Sequence, residues 1–188
     1  ATLPGECKEK IIYETHTDGN TFVQENGAVA LLALAQYYAR QPLSSRRRTI
    51  EFAFNTAHLH ISKEGTSRHA DQLDESFEDE DTLALVIPVE HLGTREIEEC
   101  KTATSGSSTG LEFTGRGEMM IWCVGPSPPV LSAVKSAVNR RNLNRVIVAP
   151  GISKPDRSRV PTYSSFGGIG TYYHNALLPT TSLISGPW

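Results

Sequence analysis

Residues 10–40 carry the pattern that decides the fold, and they read KIIYETHTDGNTFVQENGAVALLALAQYYAR. The first four, residues 10–13, are apolar and β-forming enough to predict a strand that is buried on both faces of a sheet. After a polar turn, residues 27–40 leave only a narrow polar stripe, which predicts a helix largely buried against that sheet. A strand followed by such a helix is the repeating unit of an α/β fold.

The same unit recurs along the rest of the chain. Further apolar, β-rich runs lie at residues 49–54, 83–89, 121–124, 145–149 and 181–184. A second helix is predicted to begin near Pro129 and to end near Arg140, since proline suits a first helical turn and arginine a last one. We therefore expect an α/β domain with a mixed, mostly parallel central sheet and helices on both of its faces. The polar stretches at residues 63–81 and 151–170 are predicted to be surface loops.

Composition limits the classes of protein to which the chain can belong. With 188 residues, of which 38% are hydrophobic, it can bury one sizeable core, so a single domain over residues 1–188 is expected. The formal net charge of -3 gives no basic surface for nucleic acid, so no nucleic-acid partner is expected. No apolar run reaches the ~20 residues that cross a bilayer, so no membrane partner is expected. The cysteines Cys7, Cys100 and Cys123 are too far apart for a zinc motif, and one disulfide with a leftover thiol stays open.

Side chains that can bind a metal or move a proton follow three of the predicted strands. They are His16, Asp18, His58, His60, Glu90 and His91. In an extended segment, residues two apart point the same way, so His16 can ligate a metal while Asp18 orients its ring. Any single histidine here is more often a surface or hydrogen-bonded histidine than a ligand. Because such sheets carry their chemistry at the carboxyl ends of strands, the six residues together predict a site at one edge.

The order and spacing of these residues resemble the two-zinc aminopeptidases and carboxypeptidases, whose fold is shared by the catalytically inert transferrin receptor. The similarity covers most of the chain. It rests on His16-Thr17-Asp18 after a strand, on Glu25-Asn26-Gly27 before a helix, and on the strands at residues 48–54 and 178–184. The resemblance implies a zinc-exopeptidase-like fold that is incomplete at both ends, with the remainder of a longer or nicked polypeptide as a partner.

The resemblance also implies roles for individual residues. It makes His16, Glu25 and Glu90 the ligands of one zinc ion, with Asp18 supporting His16. The family's paired glutamates, a general base and a ligand of the second zinc, fall here at His58 and Leu59, and another ligand of that zinc falls at Gly170. Leucine and glycine cannot bind a metal, so at most one metal site is expected. Substrate contacts are expected from His60, His91 and His174.

Three functions remain open from the sequence. The first is a secreted metallo-hydrolase with His58 and Asp18 as catalytic residues, acting on an amide or ester bond of a small peptide or similar substrate. In this case His58→Ala keeps the metal and loses hydrolysis. The second is a catalytically inactive binding or structural module, because a fold does not determine a function. The third is a hydrogen-bonded polar cluster that ties strand ends together without a metal.

Overall fold

The computed structural model describes residues 1–19, 26–58, 64–80, 83–101, 109–150 and 166–185. Within these ranges, α-helices alternate with strands along the chain. The helices are α1 (Gly27–Ala39), α2 (Glu64–Glu80), α3 (Pro128–Arg140) and α4 (Gly170–Asn175). The strands are β1 (Thr2–Leu3), β2 (Cys7–His16), β3 (Arg48–Asn55), β4 (Leu83–Pro88), β5 (Arg95–Lys101), β6 (Thr109–Gly117), β7 (Met120–Val124), β8 (Val146–Pro150) and β9 (Thr181–Ser185).

The central sheet has the strand order β1, β3, β2, β4, β9, β7, β8. Two bridges, Val86 to Thr180 and Val89 to Leu183, connect β4 with β9 and so join the two hydrogen-bonded ladders. Strand β2 is parallel to β3 and β4, and β7 is parallel to β8, whereas β1 with β3 and β9 with β7 are antiparallel. The prediction of a mixed, mostly parallel sheet is confirmed, and each strand predicted from the sequence lies in it.

Helices cover both faces of this sheet, as predicted. On one face, Ile12 and Val86 are buried under Ala70 of α2 and Tyr173 of α4. On the other face, Ile50 and Phe52 are buried under Leu31 of α1. The adjacent helix α3 borders an apolar groove that Ile11 and Ile87 of the sheet also line. Because neighbouring residues of a strand alternate between faces, apolar runs such as Ile11-Ile12 supply both cores.

Helix α1 is buried on one side only, although its sequence predicts a largely buried helix. Leu31 is 0% exposed, but its neighbour Leu32 is 56% exposed and Tyr37 is 58% exposed. The sheet covers one side of the helix, and within the described ranges no further layer covers its outer side. Helix α1 is therefore apolar on most of its surface but buried on only one side.

Helix α2 occupies most of the stretch that is predicted to be a loop. The prediction is wrong because it rests on the acidic, Ser- and Thr-rich composition and overlooks a sparse stripe at helical spacing. Thr66 and Ala70 are buried, and Leu73 packs against the core cluster of Ile12. Spacings of four and three residues place them on one side of a helix, so a few small side chains dock it on the sheet.

The strands β5 and β6 form a separate antiparallel hairpin that the sequence analysis does not predict. The guanidinium groups of Arg116 and Arg145 both pair with Glu96 and fix the base of this hairpin to the strands beside it. All three cysteines are free. Among the helices in the described ranges, none is long and apolar enough to cross a membrane.

Candidate metal centre

Three parallel strands bring the candidate ligands together. His16 is the last residue of β2, His58 follows the end of β3, and Glu90 follows the end of β4. Because β2 lies between β3 and β4 and runs parallel to both, the carboxyl ends of all three meet at one edge. One ligand atom from each of these side chains lies within 4.8 Å of the other two. The predicted gathering of His16, His58 and Glu90 at a sheet edge is what the structure shows.

The ring of His16 is buried and held in one orientation. Its Nδ1 lies 2.9 Å from the carbonyl oxygen of Asp18 and 3.5 Å from a carboxylate oxygen of the same residue. A carbonyl oxygen can only accept a hydrogen bond, so Nδ1 carries the proton and Nε2 presents its lone pair. That Nε2 lies 3.3 Å from Oε2 of Glu90. Two acceptors repel each other at this distance, so the pair needs either a proton on one of the two atoms or a metal ion bound by both, and imidazole and carboxylate are ligands that zinc accepts.

The carboxylate of Glu90 is held from its other side by the backbone. Glu90 is 3% exposed, and its Oε1 accepts a hydrogen bond from the N–H of Ile169 at 2.5 Å. Its Oε2 therefore faces the histidines, with Nε2 of His91 at 3.8 Å. Gly168 has a φ of +59°, and a Cβ atom there would fall 1.4 Å from Oε1 of Glu90. Sequence reasoning missed Gly168 and Ile169, because a contact across 79 residues leaves no local signal.

His58 reaches the site from a tight turn after β3. Its ring centroid lies 4.6 Å from that of His16 and 6.2 Å from that of Tyr172. The preceding residue, Ala57, has a φ of +60°, which is uncommon for a residue with a side chain. Helix α2 packs so closely on this turn that a Cβ atom at Gly65 would lie 1.5 Å from the carbonyl oxygen of Thr56. The orientation of His58 thus depends on tertiary packing.

The start of α1 closes the same edge of the sheet. Oδ1 of Asn26 accepts a hydrogen bond from the N–H of Leu92 at 2.7 Å, and Nδ2 of Asn26 donates to the carbonyl oxygen of Gly93 at 3.2 Å. A Cβ atom at Gly27 would lie 2.2 Å from the carbonyl oxygen of Val89, so only glycine permits this approach. Glu25, which precedes Asn26, lies outside the described residues, as does His60.

Glu14 is a buried acid beneath the centre that the sequence analysis did not single out. It is 0% exposed, and its Oε1 accepts a hydrogen bond from Nδ2 of Asn55 at 2.8 Å. Burial raises the pKa of Glu14 to about 8, and the nearby carboxylate of Glu90 adds to the rise. Glu14 is therefore a neutral acid at pH 7. Its signal in the sequence is a charged residue that follows the apolar run Ile11-Ile12-Tyr13 and lies two positions before His16.

The positions implied for a second metal lack ligands where they are described. A Cβ atom at Gly170 would lie 2.5 Å from Oγ of Ser182, so the side chain of Ser182 occupies the space that a longer side chain would need. His174, in α4, is 1% exposed, and its ring stacks on Phe166 at a centroid distance of 4.2 Å. Leu59 lies outside the described residues. Of the two predicted substrate contacts that the structure describes, His91 is the more open, with 27% of its side chain exposed.

Comparisons with known proteins place the fold. No family model and no curated protein matches the sequence. The zinc aminopeptidase BSAP from Bacillus subtilis matches the structure with a TM-score of 0.60 and 17% identity, over 98% of this chain and 39% of that one. A glutaminyl cyclase from an Acidobacteriales bacterium matches with a TM-score of 0.59 and 13% identity, over 99% of this chain and 58% of that one.

A third match is a peptidase M28 precursor from Shewanella amazonensis, with a TM-score of 0.53 and 17% identity. That match covers 98% of this chain and 35% of the precursor. The chain thus spans between 35% and 58% of the length of these three structures. The predicted zinc-exopeptidase-like fold is confirmed: the chain has the fold of the zinc aminopeptidases, at an identity low enough to mark it as strongly divergent.

Proposed function

We propose that the chain forms much of a divergent metallo-hydrolase of aminopeptidase type that holds one zinc ion and cleaves an amide or ester bond of a small peptide. The proposal rests on Nε2 of His16 facing Oε2 of Glu90 at 3.3 Å in a buried site with His58 close by, because these are ligand types that zinc prefers. The shared fold with a protein described as a zinc aminopeptidase supports it.

The ligand set that the geometry favours is His16, His58 and Glu90, two imidazoles and one carboxylate. Catalytic zinc sites commonly take three such protein ligands and keep one position open. The 3.3 Å between Nε2 of His16 and Oε2 of Glu90 is the spacing of two ligand atoms that each lie about 2 Å from a tetrahedral zinc ion. Glu25 is proposed as a further carboxylate of the site, because Asn26 beside it is bonded to the segment that follows Glu90.

His58 has two proposed roles that exclude each other. As a ligand it gives its lone pair to the metal, whereas as the general base it must keep that lone pair for a proton. The short distance between the rings of His58 and His16 favours the ligand role. The resemblance to the family, in which this position carries the base, favours the other role. Metal content of a His58 variant separates the two.

A bound zinc ion supplies Lewis-acid chemistry and lowers the pKa of a water molecule. The residues of this chain orient the ligands and contact the substrate. Asp18 keeps the proton of His16 on Nδ1, which leaves Nε2 available to the ion. His91 lies beside Glu90 with part of its side chain in solvent, so we propose that it contacts the substrate. Substrate contacts from His60 and His174 stay predictions.

The experiment that tests this proposal is metal content per chain, measured by plasma mass spectrometry on undialysed protein and repeated after chelation and reloading with zinc. We expect about one zinc ion in the unaltered chain and less than a tenth of it in His16→Ala, because a site that lacks one of its imidazole ligands holds zinc poorly. His69→Gln is the matched control, since it removes an imidazole outside the group and leaves the content unchanged.

Each other outcome has a defined meaning. Full metal content in His16→Ala would contradict the site assignment. Retained metal with lost cleavage of peptide amides in His58→Ala would make His58 the base. An unaltered chain with no zinc would favour the catalytically inactive binding or structural module.

We also infer that the protein acts outside the cell. The support is the fold shared with a protein described as an M28 precursor, since a precursor is cleaved to the mature form and secreted proteins commonly lose a leader in this way. Expression of the natural gene followed by assay of the culture medium tests this, and retention of the protein in the cells would contradict it.

A further inference from the structure

We infer that Gly168 and Ile169 are positioning residues that aim Oε2 of Glu90 at His16, and that this device lets a glutamate act as the ligand in this site. The inference rests on the proposed function, because it concerns the metal site formed by Glu90. It identifies two residues that contact the metal ligand Glu90 and are not metal ligands themselves.

The first step concerns the two oxygens of the Glu90 carboxylate. A glutamate has one more rotatable bond than an aspartate, so an unsupported glutamate loses more conformational freedom when it binds a metal. The N–H of Ile169 fixes Oε1, which leaves Oε2 directed at Nε2 of His16. Hydrogen bonds of this kind to a ligating carboxylate typically change metal affinity by about 10- to 100-fold.

The second step concerns the space that the longer side chain needs. A Cβ atom at Gly168 would lie 1.4 Å from Oε1 and 2.5 Å from Cδ of Glu90, which are impossible contacts. The carboxylate occupies the place where any other residue would put its side chain. Since Glu90 is 3% exposed, it cannot move into solvent to make room. Gly168 and Glu90 are therefore coupled through direct contact.

Hydrogen bonds within the turn that carries Gly168 fix its shape. The N–H of Thr171 donates to the carbonyl oxygen of Gly168, and Oγ1 of Thr171 donates to the carbonyl oxygen of Phe166 at 2.7 Å. A Cβ atom at Gly168 would also lie 2.9 Å from Cδ1 of Ile184. These hydrogen bonds hold the shape of the turn, so the N–H of Ile169 keeps its direction toward Oε1 of Glu90.

A double-mutant cycle tests the coupling, with Gly168→Ala, Glu90→Asp and both changes in the whole 188-residue chain. The readouts are the dissociation constant for zinc by calorimetry and the visible spectrum of the cobalt(II) form, which reports the geometry of the ligands. Gly168→Ala is expected to weaken zinc binding by about 10-fold or more in the Glu90 background. With the shorter Asp at position 90, the same change is expected to cost less than about 3-fold, because the contact is gone.

Gly115→Ala is the matched control for backbone strain. Gly115 also has a positive φ, of +77°, but nothing lies within 4 Å of a Cβ atom placed there. Its change to alanine is expected to leave zinc affinity within about 2-fold of the unaltered chain, since strain alone does not reach the metal.

Should Gly168→Ala fail to fold, Glu90→Asp alone decides, because the shorter side chain cannot reach the N–H of Ile169. We expect zinc binding about 10-fold weaker and a changed cobalt spectrum, although aspartate and glutamate are the same kind of ligand. Equal affinity in Glu90→Asp, or an equal effect of Gly168→Ala in both backgrounds, would overturn the inference while leaving the proposed function intact. No zinc binding by the unaltered chain would overturn the proposed function and the inference with it.

Discussion

The protonation and orientation of the side chains in the metal centre depend on their surroundings as well as on the type of residue. Glu14 and His16 lie two apart on β2, so both side chains point to the same face. Burial and the nearby Glu90 keep Glu14 protonated at pH 7, whereas the ring of His16 is held with a lone pair directed outward. Two polar residues of one short segment thus differ in function, since Glu14 keeps an acidic proton whereas Nε2 of His16 carries none.

His174 illustrates the same dependence and gives a prediction for pH. Burial lowers the pKa of His174 below its ordinary value of 6.5. As pH falls below about 6.5, the unfolded chain takes up a proton that the folded chain refuses, so the free energy of unfolding decreases. Between pH 6.5 and 5, we expect the free energy of unfolding of the metal-free chain to fall by up to about 1.4 kcal/mol per pH unit more than that of His174→Gln.

Urea unfolding at pH 7.5 and pH 5 measures this difference. The variant keeps a polar side chain of similar size but cannot titrate in this range, so other titrating groups cancel. A stability difference between the two proteins that is the same at both pH values would contradict the assignment.

At the scale of elements, the two sides of α1 face different surroundings. The helix has no charged residue, and its inner side packs on Ile50 and Phe52 of β3. Its outer side exposes Val29 and Leu32. The inner side contributes to stability by removing apolar area from water, and the outer side does not.

The neighbours Leu31 and Leu32 provide a matched pair for testing the orientation of α1. Leu31→Ala is expected to lower the free energy of unfolding by about 2 to 5 kcal/mol, because it leaves a cavity in the core. Leu32→Ala is expected to change the free energy of unfolding by about 0.5 kcal/mol or less, since the Leu32 side chain is mostly exposed. Leucine and alanine also have similar helix propensities. Chemical denaturation measures both, and equal losses would mean that α1 is covered on its outer side as well.

At the scale of the whole molecule, the central sheet holds together segments that are far apart in sequence. Cys7 lies in β2, Cys100 in the hairpin and Cys123 in β7, and none of them is bonded to another. The fold is therefore maintained without covalent links between its parts, and its stability comes from the cores on the two faces of the sheet.

Thiol titration tests this arrangement. In denaturant without reductant, the chain is expected to show three reactive thiols, one for each free cysteine. In the native state Cys123 is expected to react much more slowly, because it is 5% exposed and burial raises the pKa of its thiol. A count of one thiol in denaturant would reveal the disulfide that the sequence alone leaves open.

The sequence by itself determined the strands β2, β3, β4, β7, β8 and β9, the helices α1 and α3 and the edge at which His16, His58 and Glu90 meet. These features depend on periodicity and on the rule that chemistry follows the carboxyl ends of parallel strands, both of which are local or topological. The sequence misassigned α2, because its stripe of Thr66, Ala70 and Leu73 is too sparse to stand out from a polar composition.

Only the tertiary structure decided which atoms of these residues face one another. The contact of Gly168 and Ile169 with Glu90, the neutral state of Glu14 and the close approach of α2 to the turn before His58 all join distant parts of the chain. Such contacts depend on the space between packed elements and on burial, which raises the energy of a charge far above its value in water. Neither quantity can be obtained from the order of residues without the fold.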